Sequence, residues 1–436
     1  MKITVNTKEI LGKIKPMHAV GQPPMAGSFD DYPSMHFHYL TEAAIPYSRL
    51  HDVGGYFGGN RFVDIPNIFR DFDADVDDPA SYDFTFTDRL ITGLINNGIE
   101  PYYRLGVTIE NFAVIKQYRQ DPPKDYAKWA KICENIIAHY IDGWADGFNY
   151  NITYWEILNE PDSGHGFRGR IAPMWWGTPE QYYELYTVTA KQLKARFGDR
   201  IKVGGYSAFG FYYVTDTPEE KEKYPIHEYR MDFFNGFISY VKEHGAPLDF
   251  FSWHSYYGAE KTAIHARWVA NALKEAGFDK TESHLTEWNI EPKTRGTGLH
   301  SANTSAMMLA LQKEDIDMLL LYDAGLSGAY APLFHPVTEK PWHTYYALVA
   351  FGMLYKLGNE IKLDLEKESG VFAVGASNGT KSAIMIANIS GKTVPLEIDG
   401  IDLSEARWSA IDDARLLSWS APVNEIPNNT VILIEK

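Results

Sequence analysis

Eight short apolar runs recur between Met17 and Tyr322, and the segments between several of them change from strand spacing to helical spacing. The runs are a stretch near Met17 to Val20, then Ala44 to Leu50, Glu100 to Leu105, Thr153 to Leu158, Ile201 to Gly205, Phe250 to His254, Ser283 to Glu287 and Met318 to Tyr322. Trp129, Ile132, Ile136, Ile137 and Tyr140 form one helical stripe between them. Thr178-Pro179-Glu180-Gln181 has the form of an N-cap, a Pro at the first helical position and a capping Gln. Eight strands alternating with helices predict an α/β chain, a (β/α)8 TIM barrel whose active site lies at the C-terminal ends of its strands.

The pattern changes after about Tyr355. Val371 to Ala376, the turn pair Asn378-Gly379 and Lys381 to Ile386 read as a hairpin. Further strand-like runs follow at Val394 to Ile398, Arg407 to Ile411 and Val431 to Ile434, with no helix of comparable length. A barrel takes up about 250 residues or more, and the chain has 436. The expected division is a catalytic barrel over 16–354 and an accessory antiparallel β-sandwich formed by 355–436 with 1–15, the strand Lys2 to Asn6 joining it.

Two strings then carry the chemistry: Trp155-Glu156-Ile157-Leu158-Asn159-Glu160-Pro161 and His284-Leu285-Thr286-Glu287-Trp288-Asn289. Each places a carboxylate where an apolar run gives way to turn residues, on the fourth and the seventh run. A single Glu at a strand end is commonly a solvated group or an ion-pair partner. Here Pro161 turns the chain out of the strand directly after Glu160, and Asn159 can donate an amide hydrogen bond to a sugar hydroxyl. Two opposed carboxylates are the minimum equipment for cleaving a glycosidic bond, one protonating the leaving oxygen and the other attacking or directing water.

Composition narrows the partners. A net charge of -16 makes nucleic acid and anionic membrane surfaces poor partners, because phosphates are bound through clustered Lys and Arg. Aromatic residues make up 14% of the chain, in keeping with a carbohydrate substrate, although large cores use them too. Cys133 is the only cysteine, so no disulfide forms within the chain and a thiolate metal site is excluded; its place in the Trp129 stripe reads as a buried thiol. No signal-peptide stretch opens the chain, which is expected to be cytoplasmic, or secreted or periplasmic if a leader was removed. Self-association into a homo-oligomer stays open.

Three motif-like patterns lead elsewhere. Gly164, Gly166 and Gly169 spell G-x-G-x-x-G but do not open a helix, and they read as a loop beside Glu160. Asp71, Asp73, Asp75 and Asp77 resemble the start of a calcium loop, with Val76 where Gly is needed and Tyr82 where Glu is needed. Neither a zinc-protease helix motif nor a G-x-S-x-G elbow is present. No metal and no cofactor are called for.

At Asn159-Glu160-Pro161 and Thr286-Glu287-Trp288-Asn289 the sequence resembles the clan A retaining glycosidases, and among them glycoside hydrolase family 39. The likeness to its bacterial β-xylosidases extends to Tyr82-Asp83-Phe84-Thr85-Phe86-Thr87-Asp88, to Pro122 to Trp129 and to Lys202-Val203-Gly204-Gly205. The resemblance implies Glu160 as acid/base and Glu287 as nucleophile. By the same matching His51, His254 and Tyr256 are expected to hold the sugar with Asn159, while Arg49 lies inside the barrel and supports the nucleophile. Glu156 is expected to be a buried structural acid.

The chain departs from the xylosidases at Leu321 to Gly328, where they carry a Trp and an acidic pair, and in a longer loop over 162–176. That loop is expected to bring Arg168, Arg170, Trp175 and Trp176 toward the cleft, with Trp175 and Tyr322 offering stacking faces. The leading expectation is an exo-acting β-xylosidase working by double displacement on short oligosaccharides. The alternatives are the same machinery on another sugar (an arabinosidase, a uronidase akin to iduronidases, or an endo-glycosidase on an exopolysaccharide) and a non-catalytic carbohydrate-binding barrel.

Overall fold

The computed structural model describes residues 1–24, 36–53, 63–108, 121–164, 174–326, 328, 330–366 and 368–436. Strand β1 (Lys2–Lys13) opens the chain, and eight parallel strands then close into a barrel: β2 (Ala19–Gly21), β3 (Tyr47–Leu50), β4 (Glu100–Leu105), β5 (Tyr154–Ile157), β6 (Lys202–Ala208), β7 (Phe250–Ser255), β8 (Glu282–Trp288) and β9 (Met318–Leu321). The eight apolar runs of the sequence fall on these strands. Closure comes from β2, which pairs in parallel with β3 through Val20 and Ser48 and with β9 through Val20 and Leu321.

Helices cover the outside of the barrel, and their ends are built as the sequence indicates. In the helix Pro179–Phe197 the Thr178 side chain accepts from the Gln181 N–H while the Gln181 side chain accepts from the Thr178 N–H, so two orphan donors of the first turn are satisfied at once. The helix Tyr126–Asp142 starts on an Asp125 cap and stops at Gly143, whose φ of 72° glycine adopts without a Cβ clash. Cys133 is fully buried on its inner face, and burial pushes the thiol well above its ordinary pKa.

The remaining strands are β10 (Asn359–Leu365), β11 (Val371–Ser377), β12 (Ser382–Asn388), β13 (Val394–Pro395), β14 (Glu397–Asp399), β15 (Arg407–Ile411), β16 (Leu416–Trp419), β17 (Glu425–Ile426) and β18 (Thr430–Glu435). Eight of them, counting β1, form one sheet in the order β14-β1-β10-β11-β12-β18-β15-β16, and β13 and β17 make a separate ribbon. β1 joins as expected, antiparallel to β10 and parallel to β14. The Asn378-Gly379 pair turns β11 into β12, with Gly379 at φ 92°.

Both faces of this sheet are buried, in strict alternation along its central strands. Ile384, Ile386, Ile432 and Ile434 pack against Val394 and Ile426 of the ribbon. Their neighbours Ala383, Met385, Ala387, Val431 and Leu433 belong to the barrel's own core. The second layer of the sandwich is therefore thin, because the barrel helices Gly298–Leu311 and His343–Leu357 take the place of a second full sheet. The junction is close-fitting at Gly298, whose N–H donates to Asp413 and where a Cβ would meet the Asp413 nitrogen at 2.8 Å.

Candidate active site

The strand period of two sorts the barrel interior into layers. Tyr47, Tyr102, Tyr154, Phe250 and His284 point inward near the N-terminal ends and pack on one another as an aromatic floor. Two residues further along the same strands come Arg49, Arg104, Glu156, Ser252 and Thr286, all buried. One more step on β7 brings His254 inward. The polar site thus rests on a rigid apolar floor, and each of its groups is aimed by the strand beneath it.

Glu287 follows Thr286 directly and would point outward under strict alternation. The pairing of β7 with β8 shifts register between Trp253 and His254, so that His254 lies opposite Glu287. An irregularity of this kind re-aims a side chain, and it allows both Thr286, against Ser207, and Glu287 to meet the interior. Non-glycine residues in the left-handed region mark the other strand ends: Asp52 at φ 53°, Leu158 at 63°, Glu160 at 45° and Ser207 at 54°. Such backbone is held only where its surroundings over-determine it, and here the Glu160 N–H donates to the Ser207 carbonyl.

Arg49 is the hub. Its Nε donates to Glu156 Oε2 at 2.7 Å, Nη1 to Glu287 Oε1 at 2.8 Å, and Nη2 to Asn159 Oδ1 at 2.6 Å and Ser207 Oγ at 2.8 Å. The other oxygen of Glu287 accepts from the Tyr256 hydroxyl at 3.0 Å. Burial raises the pKa of Glu287, and the Glu160 charge adds to this while the Arg49 cation opposes it. One cation and one hydroxyl hold the carboxylate in place, and the cation limits the rise.

Glu160 sits across from it, 5% exposed against 6% for Glu287. Its Oε1 lies 2.6 Å from His254 Nδ1, and an oxygen of each carboxyl and an imidazole nitrogen all fall within 4.8 Å of one another. Burial pushes His254 down to about 4, so the ring is neutral at physiological pH and bridges the two acids without adding charge. Two carboxyls and an imidazole at this spacing could also bridge a cation. Glu287 already carries the Arg49 cation on one oxygen, which opposes a second positive charge there.

A second group stands at the ends of β2, β3 and β9. Arg104 Nε donates to His51 Nδ1 at 3.0 Å and its Nη2 to Asp64 at 2.6 Å. An arginine only donates, so Nδ1 of His51 is the acceptor and the ring proton is on Nε2. Burial, with Arg104 and Arg49 adding to it, holds His51 well below its ordinary pKa and therefore neutral. That Nε2 lies 3.4 Å from Asp52 Oδ1 and 3.8 Å from Glu287 Oε1. Tyr322 donates its hydroxyl to Asp52 Oδ2 at 2.9 Å and accepts from Gln22 Nε2 at 2.9 Å.

The structure brings Arg49, His51, Asn159, Glu160, His254, Tyr256, Glu287 and Tyr322 into one cleft. Asn159 turns its amide nitrogen onto the Met174 sulfur at 3.0 Å. Trp175 corrects the sequence reading: its ring is 1% exposed, its indole N–H donates to the Thr178 carbonyl, and its edge packs on Tyr182. A large apolar ring just before a helix is buried against the first turn, which leaves no face for a sugar. Tyr322 is used through its hydroxyl. Glu156 is a fully buried partner of Arg49 and Ser207. Arg168 and Arg170 lie outside the described residues. In the acidic loop Asp71, Asp75 and Asp78 accept from backbone N–H groups two residues on, and Asp73 and Asp77 pair with Lys124 and Lys131.

Sequence reasoning missed Asp52, Asp64, Arg104, Asp162 and Ser207. Arg104 is the penultimate residue of β4, as Arg49 is of β3, a signal that was available. Asp162 accepts from the Phe209 N–H at 3.0 Å and clamps the segment after β6, a contact with no local signature. Burial pushes its carboxyl up to about 7, with Arg230 opposing and the Glu160 charge adding.

Comparison with known proteins places this geometry. The profile of the family described as "Glycosyl hydrolases family 39" matches residues 1–310. A β-xylosidase from Caldicellulosiruptor saccharolyticus is 25% identical over 91% of this chain and 80% of its own length. Another β-xylosidase, from Geobacillus stearothermophilus, is 26% identical over 53% of this chain and 41% of its own. Among solved structures, a glucosidase from Croceicoccus marinus superposes with a TM-score of 0.77 at 20% identity, covering 100% of this chain and 98% of that one. A family 39 β-xylosidase from Caulobacter crescentus gives a TM-score of 0.69 at 18% identity, covering 100% and 99%.

Proposed function

The chain belongs to family 39 of the glycosyl hydrolases and is a glycosidase with a carbohydrate substrate; from that premise we propose that it is an exo-acting β-xylosidase that retains anomeric configuration by double displacement. The observation that carries this reading is the approach of the Glu160 and Glu287 oxygens to within 4.8 Å. Carboxyls about 5 to 5.5 Å apart suit direct attack, whereas inverting enzymes leave about 6.5 to 9.5 Å for a water.

Glu287 is the nucleophile. Arg49 fixes one oxygen and Tyr256 the other, so the carboxylate is aimed before substrate arrives and little orientational entropy is lost at attack. Glu160 protonates the leaving oxygen, and once Glu287 is an ester it deprotonates the incoming water. The change of role follows from charge: esterification removes the negative charge nearest Glu160 and with it a cause for Glu160 to hold its proton. His254, neutral and 2.6 Å away, can exchange a hydrogen bond with Glu160 in either state.

Exo action is supported by the group at β2, β3 and β9. In the ring of strands β9 stands opposite β5, which carries Glu160, and Tyr322, Asp52 and Gln22 are joined there into a wall against which a chain end would abut. Among the described residues no helix is long and apolar enough to cross a membrane. The test is a panel of aryl β-xylosides, β-glucosides, α-L-arabinosides and glucuronides, with proton NMR of the first product and trapping by a 2-deoxy-2-fluoro aryl xyloside. The expected result is preference for β-xyloside, a β-configured first product and a label on Glu287. An inverted product overturns the mechanism, and a tenfold preference for another sugar overturns the substrate.

A further inference from the structure

We propose that Asp162 is a positioning residue for the acid/base: its side chain fastens the turn that carries Glu160 to the end of β6, and so sets where the Glu160 proton is delivered. The inference rests on the glycosidase reading above and deepens it. Asp162 acts through Glu160 rather than on the substrate.

The two catalytic acids are held differently. Glu287 lies within β8, where strand pairing sets it opposite His254. The β5–β6 ladder ends at Glu156 and Gly204, so Glu160 stands beyond it, on backbone held at φ 45°. Its N–H donates to the Ser207 carbonyl at 3.1 Å, and its carbonyl accepts from the Ser163 N–H at 3.0 Å, which closes the turn Glu160-Pro161-Asp162-Ser163. Pro161 at the second position of that turn presets its φ. A turn closed on itself still needs a contact that fixes its direction against the neighbouring strand.

Asp162 supplies that contact. It is 1% exposed, and its side chain reaches across to the Phe209 N–H, with Oδ1 at 3.0 Å and Oδ2 at 3.1 Å. Glu160 and Asp162 thus meet Ser207 and Phe209 at matching two-residue steps, a carboxyl oxygen doing what a strand carbonyl does in a ladder. The receiving segment is firmly held: Ala208 pairs with Trp253 of β7, and the Ser207 hydroxyl accepts from Arg49 and donates to Glu156. Arg230, on the helix Ile226–Glu243, lies over the Phe209 ring with Cζ 3.5 Å from its centroid. Burial pushes the Asp162 carboxyl up to about 7, and either protonation state leaves an oxygen to accept from Phe209. Loss of the bond removes a constraint that keeps Glu160 at positive φ, and a displacement of about 1 Å at a reacting group costs about 100-fold in rate.

The experiment compares wild type with Asp162→Ala and Asp162→Asn on the 2,4-dinitrophenyl and phenyl glycosides of the sugar that the wild type prefers. Dinitrophenolate leaves without a proton, whereas phenolate needs one. Asp162→Ala is expected to lose about 100-fold in kcat/KM on the phenyl glycoside and under about threefold on the dinitrophenyl one. On the latter its kcat and KM should fall together, because the slowed base step lets the glycosyl-enzyme accumulate. Asp162→Asn keeps an acceptor oxygen and should recover the phenyl glycoside to within about tenfold of wild type. If Asp162→Ala melts below the assay temperature, Asp162→Ser takes its place: its hydroxyl suits a turn but falls one bond short of Phe209. The proposal is overturned by an equal loss on the two leaving groups, by a fall in kcat with KM unchanged, by phenyl glycoside activity within about threefold of wild type, or by Asp162→Asn doing no better than Asp162→Ala. Failure of the glycosidase reading looks different: the wild type would neither hydrolyse any aryl glycoside nor take up the fluoro-sugar label.

Discussion

Replacing Arg49 by Met removes a fully buried guanidinium that serves two carboxylates, an amide and a hydroxyl. Breaking a buried ion pair by deleting one partner costs about 3–5 kcal/mol, because the remaining charge is stranded. Two carboxylates are stranded here, so the variant should fall at the upper end of that range in folding stability. In activity, the loss of a charge-assisted bond to Glu287 is worth about 1.5–3 kcal/mol, or roughly 10- to 150-fold in kcat/KM at 1.36 kcal/mol per decade.

The pH dependence carries a sign. Burial already places the Glu287 pKa above its ordinary value, and Arg49 is one of the groups holding it down. A group whose folded-state pKa is raised stabilises the fold fully below its unfolded value, and that stabilisation is lost as pH rises through the folded value. Without Arg49 the folded value rises further, so the loss at neutral pH grows. The stability deficit of Arg49→Met against wild type should therefore be largest near pH 7 and shrink toward pH 4, and the acid limb of its kcat/KM profile should move to higher pH. Arg49→Lys keeps the charge but not the fork, and should retain more stability than Met while losing comparable activity. Melting temperatures and pH–rate profiles from pH 4 to 8 check this. A deficit that does not change with pH, together with an unmoved acid limb, refutes the electrostatic account.

Other expectations follow from the same geometry. Glu160→Ala should keep activity on aryl glycosides with good leaving groups, lose about 10²- to 10⁴-fold on poor ones and be rescued by azide with retained configuration; Glu287→Ala should be close to inactive on both and give an inverted azide product. Identical behaviour of the two variants would reverse or void the assignment. Burial pushes His18, His254, His265 and His300 each down to about 4; their folded values are depressed, so the stability they contribute is present above the ordinary histidine range and is lost as pH falls toward 4. Calorimetry should show the melting temperature falling between pH 6.5 and 4, and a flat profile would count against it. Thr178→Ala removes one half of the capping box and should lower stability by about 0.5–2 kcal/mol, with kcat/KM changed less than twofold; a large kinetic loss would mean the helix start positions the site.

Much of the molecule was legible in the amino-acid order because its signals are local. The alternation of strand and helix periods depends only on neighbours in the chain, so the eight barrel strands could be read from their apolar runs, and the Thr178 and Asn378-Gly379 signals act within four residues. The carboxylates of Glu160 and Glu287 were readable for a related reason: Glu287 is the penultimate residue of its strand and Glu160 comes three residues after the end of its own, and a strand end in a parallel barrel has one place to be. The weaker strands β10 and β16 escaped notice because their burial is set by partners distant in sequence rather than by their own alternation. Tertiary structure alone decided which side chains share an atom-to-atom contact. Trp175 looked like a sugar platform and is folded under its own helix, whereas Asp52 carried no signal in the sequence and lies against His51, 3.4 Å from its Nε2. Arg49 reaches four partners drawn from three other strands and their ends, and Tyr322 meets an aspartate 270 positions away. Such contacts are fixed by barrel closure, register shifts at β8 and backbone held at positive φ, all of which depend on the whole ring of strands being assembled.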